Sequence, residues 1–143
     1  MKSSKLSKLS VESNFDNGNA IVRYINYKKR VVNIEPQQIN YSVNIWWHFK
    51  IHGIKPGEEI ILKTNHSPIA GDSHPVYSYD GINWKRFDDK KQPYSQVFCE
   101  PSVEVARNIP YPLHRVDVLL NSLKGDNYEL FNICYSEEGR PVK

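Results

Sequence analysis

Ser42-Val43-Asn44-Ile45-Trp46-Trp47-His48-Phe49-Lys50-Ile51 decides the fold. Val43, Ile45, Trp47, Phe49 and Ile51 fall on one parity, and Asn44, Trp46, His48 and Lys50 on the other. Successive strand side chains point to opposite faces, so the first set is predicted to line a core and the second to face out. Ile54-Lys55-Pro56-Gly57 follows, and Pro-Gly suits the middle of a type II turn. Glu59 to Asn65, with Ile60, Ile61 and Leu62, reads as the partner strand. Pro75 to Tyr79 and Asn83 to Phe87 flank Asp80-Gly81, a hairpin signal. Ala20 to Ile25, Val31 to Ile34, Gln96 to Cys99 and Val103 to Ala106 read as further short strands. Short strands with turn signals at this spacing predict a mainly β fold, an antiparallel β-sandwich.

At Pro110 the period changes. Leu113, Val116, Leu120 and Leu123 recur at helical intervals and form one apolar stripe. Pro112 suits the first helical position and Gly125 the C-terminal cap. Glu129 to Tyr135 reads as one more strand, and Glu138-Gly139-Arg140-Pro141 as a turn. The sandwich is thus followed by one helix and a C-terminal strand.

The length of 143 residues suits one domain, and 12% aromatic residues mark a globular chain. The Lys/Ser-rich start, residues 1–13, is expected to be flexible, and it lacks the apolar stretch of a signal peptide. No apolar run approaches the ~20 residues of a membrane helix. A net charge of +3 is too mild to predict a nucleic-acid partner. Lys28-Lys29-Arg30 and the group Lys85, Arg86, Lys90 and Lys91 read as solubilising charge, with attraction of an acidic peptide as the sharper alternative. Cys99 and Cys134 sit in apolar strings and are expected to be buried free thiols.

Few residues suggest chemistry. His48 and His52 would face one way on a strand, but four residues span roughly 13 Å there, too far for one ion. A loop between His66 and His74 could bring both to Asp72, which would make a zinc triad, although solvated loop residues are the simpler expectation. No Gly-x-Ser-x-Gly elbow and no phosphate-cradling glycine loop is present. Trp46, Tyr77, Tyr79 and Trp84 are candidates for an aromatic platform that stacks on a sugar, or for aromatics covered by a loop.

Asn44 to Ile51, Gly53 to Gly57 and Ile60 to Asn65 together resemble the N-terminal domain of cytosolic-type zinc metallocarboxypeptidases. Pro75-Val76-Tyr77-Ser78-Tyr79-Asp80-Gly81-Ile82-Asn83-Trp84-Lys85-Arg86 is similar to that family's hairpin. Ala106 to Tyr111 resembles its passage into the catalytic domain, and Ser136 to Val142 its Glu-Gly-Arg-Pro turn. The resemblance implies three parts: a flexible segment 1–13, an accessory β-sandwich 14–109, and the first helix and strand of a catalytic domain over 110–143. It implies a cytoplasmic enzyme that removes C-terminal residues from peptides with a zinc held on His-x-x-Glu and a later His. None of the five histidines here has Glu three residues on, and His114-x-x-Asp117 is the nearest approach. No catalytic, cofactor or metal residue is therefore assigned, and this chain is expected to be inactive. Its implied partner is the catalytic domain of the same polypeptide, with self-association through residues 110–135 where that partner is missing. A carbohydrate-binding module using Trp46 and Trp84 is the alternative.

Overall fold

The computed structural model describes residues 8–37, 45–65, 74–123, 125, 129 and 131–142. The chain forms two compact units, Met1–Pro110 and Tyr111–Lys143. The first contains β1 (Ser10–Glu12), β2 (Ile21–Asn26), β3 (Val31–Glu35), β4 (His48–His52), β5 (Glu58–Thr64), β6 (Val76–Ser78), β7 (Lys85–Arg86), β8 (Tyr94–Phe98) and β9 (Ser102–Ala106). These make a five-stranded sheet, β1-β4-β9-β6-β7, and a four-stranded sheet, β2-β3-β5-β8.

Both sheets feed one core. Phe49 and Ile51 of β4 and Val103 and Val105 of β9 cluster with Val32 and Ile34 of β3, Ile60 and Leu62 of β5, and Tyr94 and Phe98 of β8. Period-two alternation puts each of these on one face of its strand, which is what two facing sheets require. Neighbouring strands are antiparallel except β3 and β5, which run parallel from Val31↔Ile61 to Ile34↔Thr64. Between them the chain passes through β4 of the other sheet, so no tight hairpin joins them.

The turn at Lys55–Glu58 forms as expected: the Glu58 N–H donates to the Lys55 carbonyl at 2.9 Å and Gly57 takes φ +83°. The β6–β7 hairpin is present, but its link runs over residues 79–84 rather than the 80–82 left by the expected strands. Asp80 organises that link, accepting from the N–H groups of Ile82 and Asn83 and from the Ser78 hydroxyl.

Several expectations are corrected. The strand expected over Ser42–Ile51 begins at His48, and residues 42–44 lie outside the described residues. Ile45, before the strand starts, is 44% exposed instead of lining the core. His48 faces away from the core as its parity demands, yet is 4% exposed, because aromatic rings cover it. Cys99 and Cys134 are free but exposed, since Cys99 falls just after β8 ends and Cys134 lies on a hairpin exposed throughout. Within the stretch 1–13, Leu9 is fully buried and Ser10–Glu12 pairs with β4, so the Lys/Ser composition masks one core anchor.

The second unit contains α1 (Leu113–Ser122), β10 (Cys134–Tyr135) and β11 (Pro141–Val142). Pro112 is the extended N-cap residue rather than the first helical one, and the C-cap is Leu123 rather than Gly125. The strand expected over 129–135 shortens to β10, with Leu130 and residues 126–128 outside the described residues. It pairs antiparallel with β11, Cys134↔Val142, across a turn closed by the Gly139 N–H to the Ser136 carbonyl. Among the described residues no helix is long and apolar enough to cross a membrane.

Candidate functional site

The polar face of the five-stranded sheet gathers His48, Lys50, His52, Glu104 and Glu12. Phe49 and Ile51 fill the core, so strand alternation turns His48, Lys50 and His52 the other way. Register sets Glu104 beside Lys50 and Ser102 beside His52 on β9, and Glu12 beside Lys50 on β1.

Two hydrogen-bonded chains result. In the first, His48 Nε2 lies 3.2 Å from Glu104 Oε2, and Lys50 Nζ lies 3.2 Å from Glu104 Oε1. Phe15, Trp84 and Trp46 pack edge-on around the His48 ring at 4.9, 5.8 and 6.3 Å. Burial pushes the His48 imidazole below its ordinary pKa, and the Glu104 carboxylate opposes this without overcoming it. In the second chain, Ser102 Oγ lies 2.9 Å from His52 Nδ1, and His52 Nε2 lies 2.9 Å from Glu12 Oε2. Serine, histidine and carboxylate in that order suit nucleophilic catalysis only if donors await an oxyanion. Pro101, just before Ser102, has no N–H to give. The arrangement ties β1, β4 and β9 together. The sequence signal for both chains was His48 and His52 on one strand face; their carboxylate partners come from strands distant in sequence.

The described histidines do not assemble a metal centre. His48 and His52 are each engaged by their own carboxylate, and His74 Nε2 bonds the Phe87 carbonyl. His66 and Asp72, and with them the triad proposed with His74, lie outside the described residues. His114 is exposed on α1 with Asp117 half-buried. Among the described residues no group of three or more His, Cys, Asp or Glu could hold a metal ion.

The aromatic platform is split between the two faces of the sheet. Trp46 and Trp84 are half-buried on the His48 side, and their indole N–H groups donate to the carbonyls of Asn17 and Gly81, both at 3.2 Å. Tyr77 turns to the core side, 5.3 Å from Phe98 and 5.7 Å from Phe87, with Tyr79 packed on it. Burial raises the hydroxyl pKa of both tyrosines. The four rings therefore do not form one platform: Tyr77 and Tyr79 lie on the opposite face from Trp46 and Trp84. The run Lys28-Lys29-Arg30 is also divided: both lysines are exposed, whereas Arg30 is 6% exposed and bonded to Glu58.

A fold of two sheets over one core, with a second small unit of helix and hairpin, is a class shared by known proteins. Residues 11–102 match the family described as the cytosolic carboxypeptidase N-terminal domain, and the chain belongs to that family. The structure is similar to a metallo-carboxypeptidase from Burkholderia cenocepacia, with a TM-score of 0.80 and 20% identity over 94% of this chain and 38% of that one. It is also similar to a metallo-carboxypeptidase from Pseudomonas aeruginosa in complex with (2-guanidinoethylmercapto)succinic acid, with a TM-score of 0.77 and 22% identity over 93% of this chain and 38% of that one. At these identities the likeness is one of fold. The chain therefore spans about 38% of the length of these relatives. A comparison with curated proteins finds no match.

Proposed function

We propose that residues 14–109 are the non-catalytic accessory domain of a cytosolic zinc metallocarboxypeptidase, which supports folding of the catalytic domain and walls part of its substrate entrance. On this reading residues 110–143 are the first helix and strand of that catalytic domain, and the whole enzyme hydrolyses C-terminal residues from peptides or proteins. The observation that carries the reading is the match of residues 11–102 to this domain's family. The relatives' greater length supports it, since it leaves room for a catalytic domain in the same polypeptide.

The described residues do not fit the zinc of such an enzyme. His48 and His52 are separately committed to Glu104 and Glu12, and no third donor joins them. The metal on this reading is held outside this chain. The first test is therefore activity: the chain with added zinc should release nothing from peptides ending in Glu, Phe or Lys. Chelator-sensitive release would overturn the reading. The supporting role is tested by expressing a metallo-carboxypeptidase catalytic domain alone and joined to residues 1–110. Soluble, active enzyme should depend on the joined segment, and equal yields without it would remove the folding role.

A further inference from the structure

His48 is a buried imidazole whose surroundings suit one protonation state. Its side chain is 5% exposed. Its Nε2 faces Glu104, while Nδ1 is shut off from solvent without a well-formed hydrogen bond and with the Asn17 carbonyl nearby. The Ser13–Asn19 segment rests on it. Phe15 packs on the ring at 4.9 Å, and Asn19 exchanges two backbone hydrogen bonds with His48, at 2.8 and 3.1 Å. The Asn17 carbonyl accepts from Trp46, which also packs on the ring.

We propose that His48 is a proton-operated latch: the neutral imidazole holds the Ser13–Asn19 segment closed over the five-stranded sheet, and protonation at Nδ1 releases it. In the neutral ring Nε2–H donates to Glu104, and the bare Nδ1 sits among aromatic rings. A second proton makes Nδ1 a charged donor in a closed, largely apolar box, where the cost of burying that charge outweighs what the Asn17 carbonyl and Glu104 return. The Asn17 carbonyl, which also accepts from Trp46, favours the proton but is outweighed by burial, and moving the Ser13–Asn19 segment away relieves that burial.

The charges facing His48 are Glu104 from β9, which favours the protonated ring, and Lys50 from β4, which opposes it. Burial is the largest influence and sides with Lys50. Asp80 in the neighbouring turn is occupied by Ser78, Ile82 and Asn83, Asp16 on the segment is exposed, and Glu12 is bonded to His52. The pKa is thus held below 6.5, and the latch stays shut at neutral pH and opens as pH falls below that value.

Amide hydrogen exchange on the whole chain tests the latch. Gly18 N–H donates to the Phe15 carbonyl and Asn19 N–H to the His48 carbonyl, so both report closure. Corrected for the intrinsic pH dependence of exchange, both should gain at least about tenfold in opening between pH 7.5 and pH 5, a range that brackets the ordinary imidazole pKa. The Asn65 amide, bonded to the Ile34 carbonyl, should not change. His48→Gln keeps a donor for Glu104 but cannot titrate, so the gain should vanish. Glu104→Gln removes the group that favours the proton in the closed state, so acid-induced opening at pH 5 should be larger than in wild type. Equal responses in wild type and His48→Gln overturn the proposal, as does a parallel rise at Asn65. If His48→Gln does not fold, an acid-induced gain in Glu104→Gln no larger than in wild type overturns it instead.

Discussion

Arg30 reaches across the fold to Glu58, Nη2 to Oε2 at 2.5 Å, and in doing so fastens the β2–β3 turn to the β4–β5 connection. The same guanidinium donates to the Gly53 carbonyl at 3.0 Å, and Glu58 also accepts from the Lys55 N–H at 3.0 Å. Removing one partner of a buried pair strands the other charge, at a cost of roughly 3–5 kcal/mol. Arg30→Met should therefore lower stability by about 3 kcal/mol in urea titration, and a loss under about 1 kcal/mol would show the pair to be dispensable. Glu58 adds a pH signature. Burial pushes its carboxyl up, but the Lys55 N–H and Arg30 outweigh burial and hold it below 4.5. The folded-state pKa is depressed, so its contribution is fully present above the unfolded value and fades as pH falls through the folded one. Glu58→Gln should lose that part of the acid dependence below about pH 4.5; an unchanged acid limb would refute the assignment.

Trp47 is the largest fully buried side chain and packs 5.9 Å from Phe49. Trp47→Ala should cost roughly 3–5 kcal/mol, as large-to-small core changes do. Its indole Nε1 is buried with no hydrogen-bond partner. Trp47→Phe deletes that unsatisfied donor along with some volume, so it should cost clearly less than Trp47→Ala. Equal losses in denaturant unfolding would mean that the indole N–H is satisfied in solution.

Much of this fold is legible in the sequence, because burial follows period-two patterning wherever one strand face is apolar. Phe49, Ile51, Val103 and Val105 fall where alternation puts them. The failures share one cause: they depend on partners far along the chain. His48 is on the outer parity, and only the approach of Phe15 and Trp84 buries it. Arg30 reads as one of three solvated charges until Glu58 is brought to it. Leu9 looks like an isolated apolar residue in a polar leader, yet it enters the core because β1 docks on β4. The parallel β3–β5 pair leaves no local signal, since turn chemistry reports only hairpins.

Gly53 and Gly57 both take positive φ, +79° and +83°, but differ in the space around them. A Cβ on Gly53 would stand 2.2 Å from the Lys8 carbonyl oxygen, whereas none at Gly57 would meet an atom within 4 Å. Gly57→Ala should cost only the left-handed strain, about 1–2 kcal/mol. Gly53→Ala adds a backbone clash where Leu9 enters the core, so it should lose more and should loosen the β1–β4 pairing Ser10↔His52. Comparable midpoints for the two variants would mean that Lys8 and Leu9 do not pack on Gly53 in solution.

The described residues of 111–142 leave several large apolar side chains exposed. On α1 no residue is buried, and Leu113 and Leu119 are each 47% exposed and Val118 66%. The expected stripe of Leu113, Val116, Leu120 and Leu123 is therefore incomplete as a core face, with only Val116 and Leu120 half-buried. Phe131, Ile133 and Tyr135, at alternate positions leading into and along β10, are 66%, 68% and 66% exposed. Burying a side chain of this size gains roughly 1.5–3 kcal/mol, so several together favour a partner. Where no catalytic domain covers them, a second copy of the chain is the partner at hand. Sedimentation of the 143-residue chain should show concentration-dependent association. Val118→Glu with Phe131→Glu should give a monomer with unchanged β-sheet circular dichroism, because neither residue belongs to the two-sheet core. A wild-type chain that stays monomeric at high concentration would show that this surface needs no cover. An associating double mutant would place the contact on the other unit.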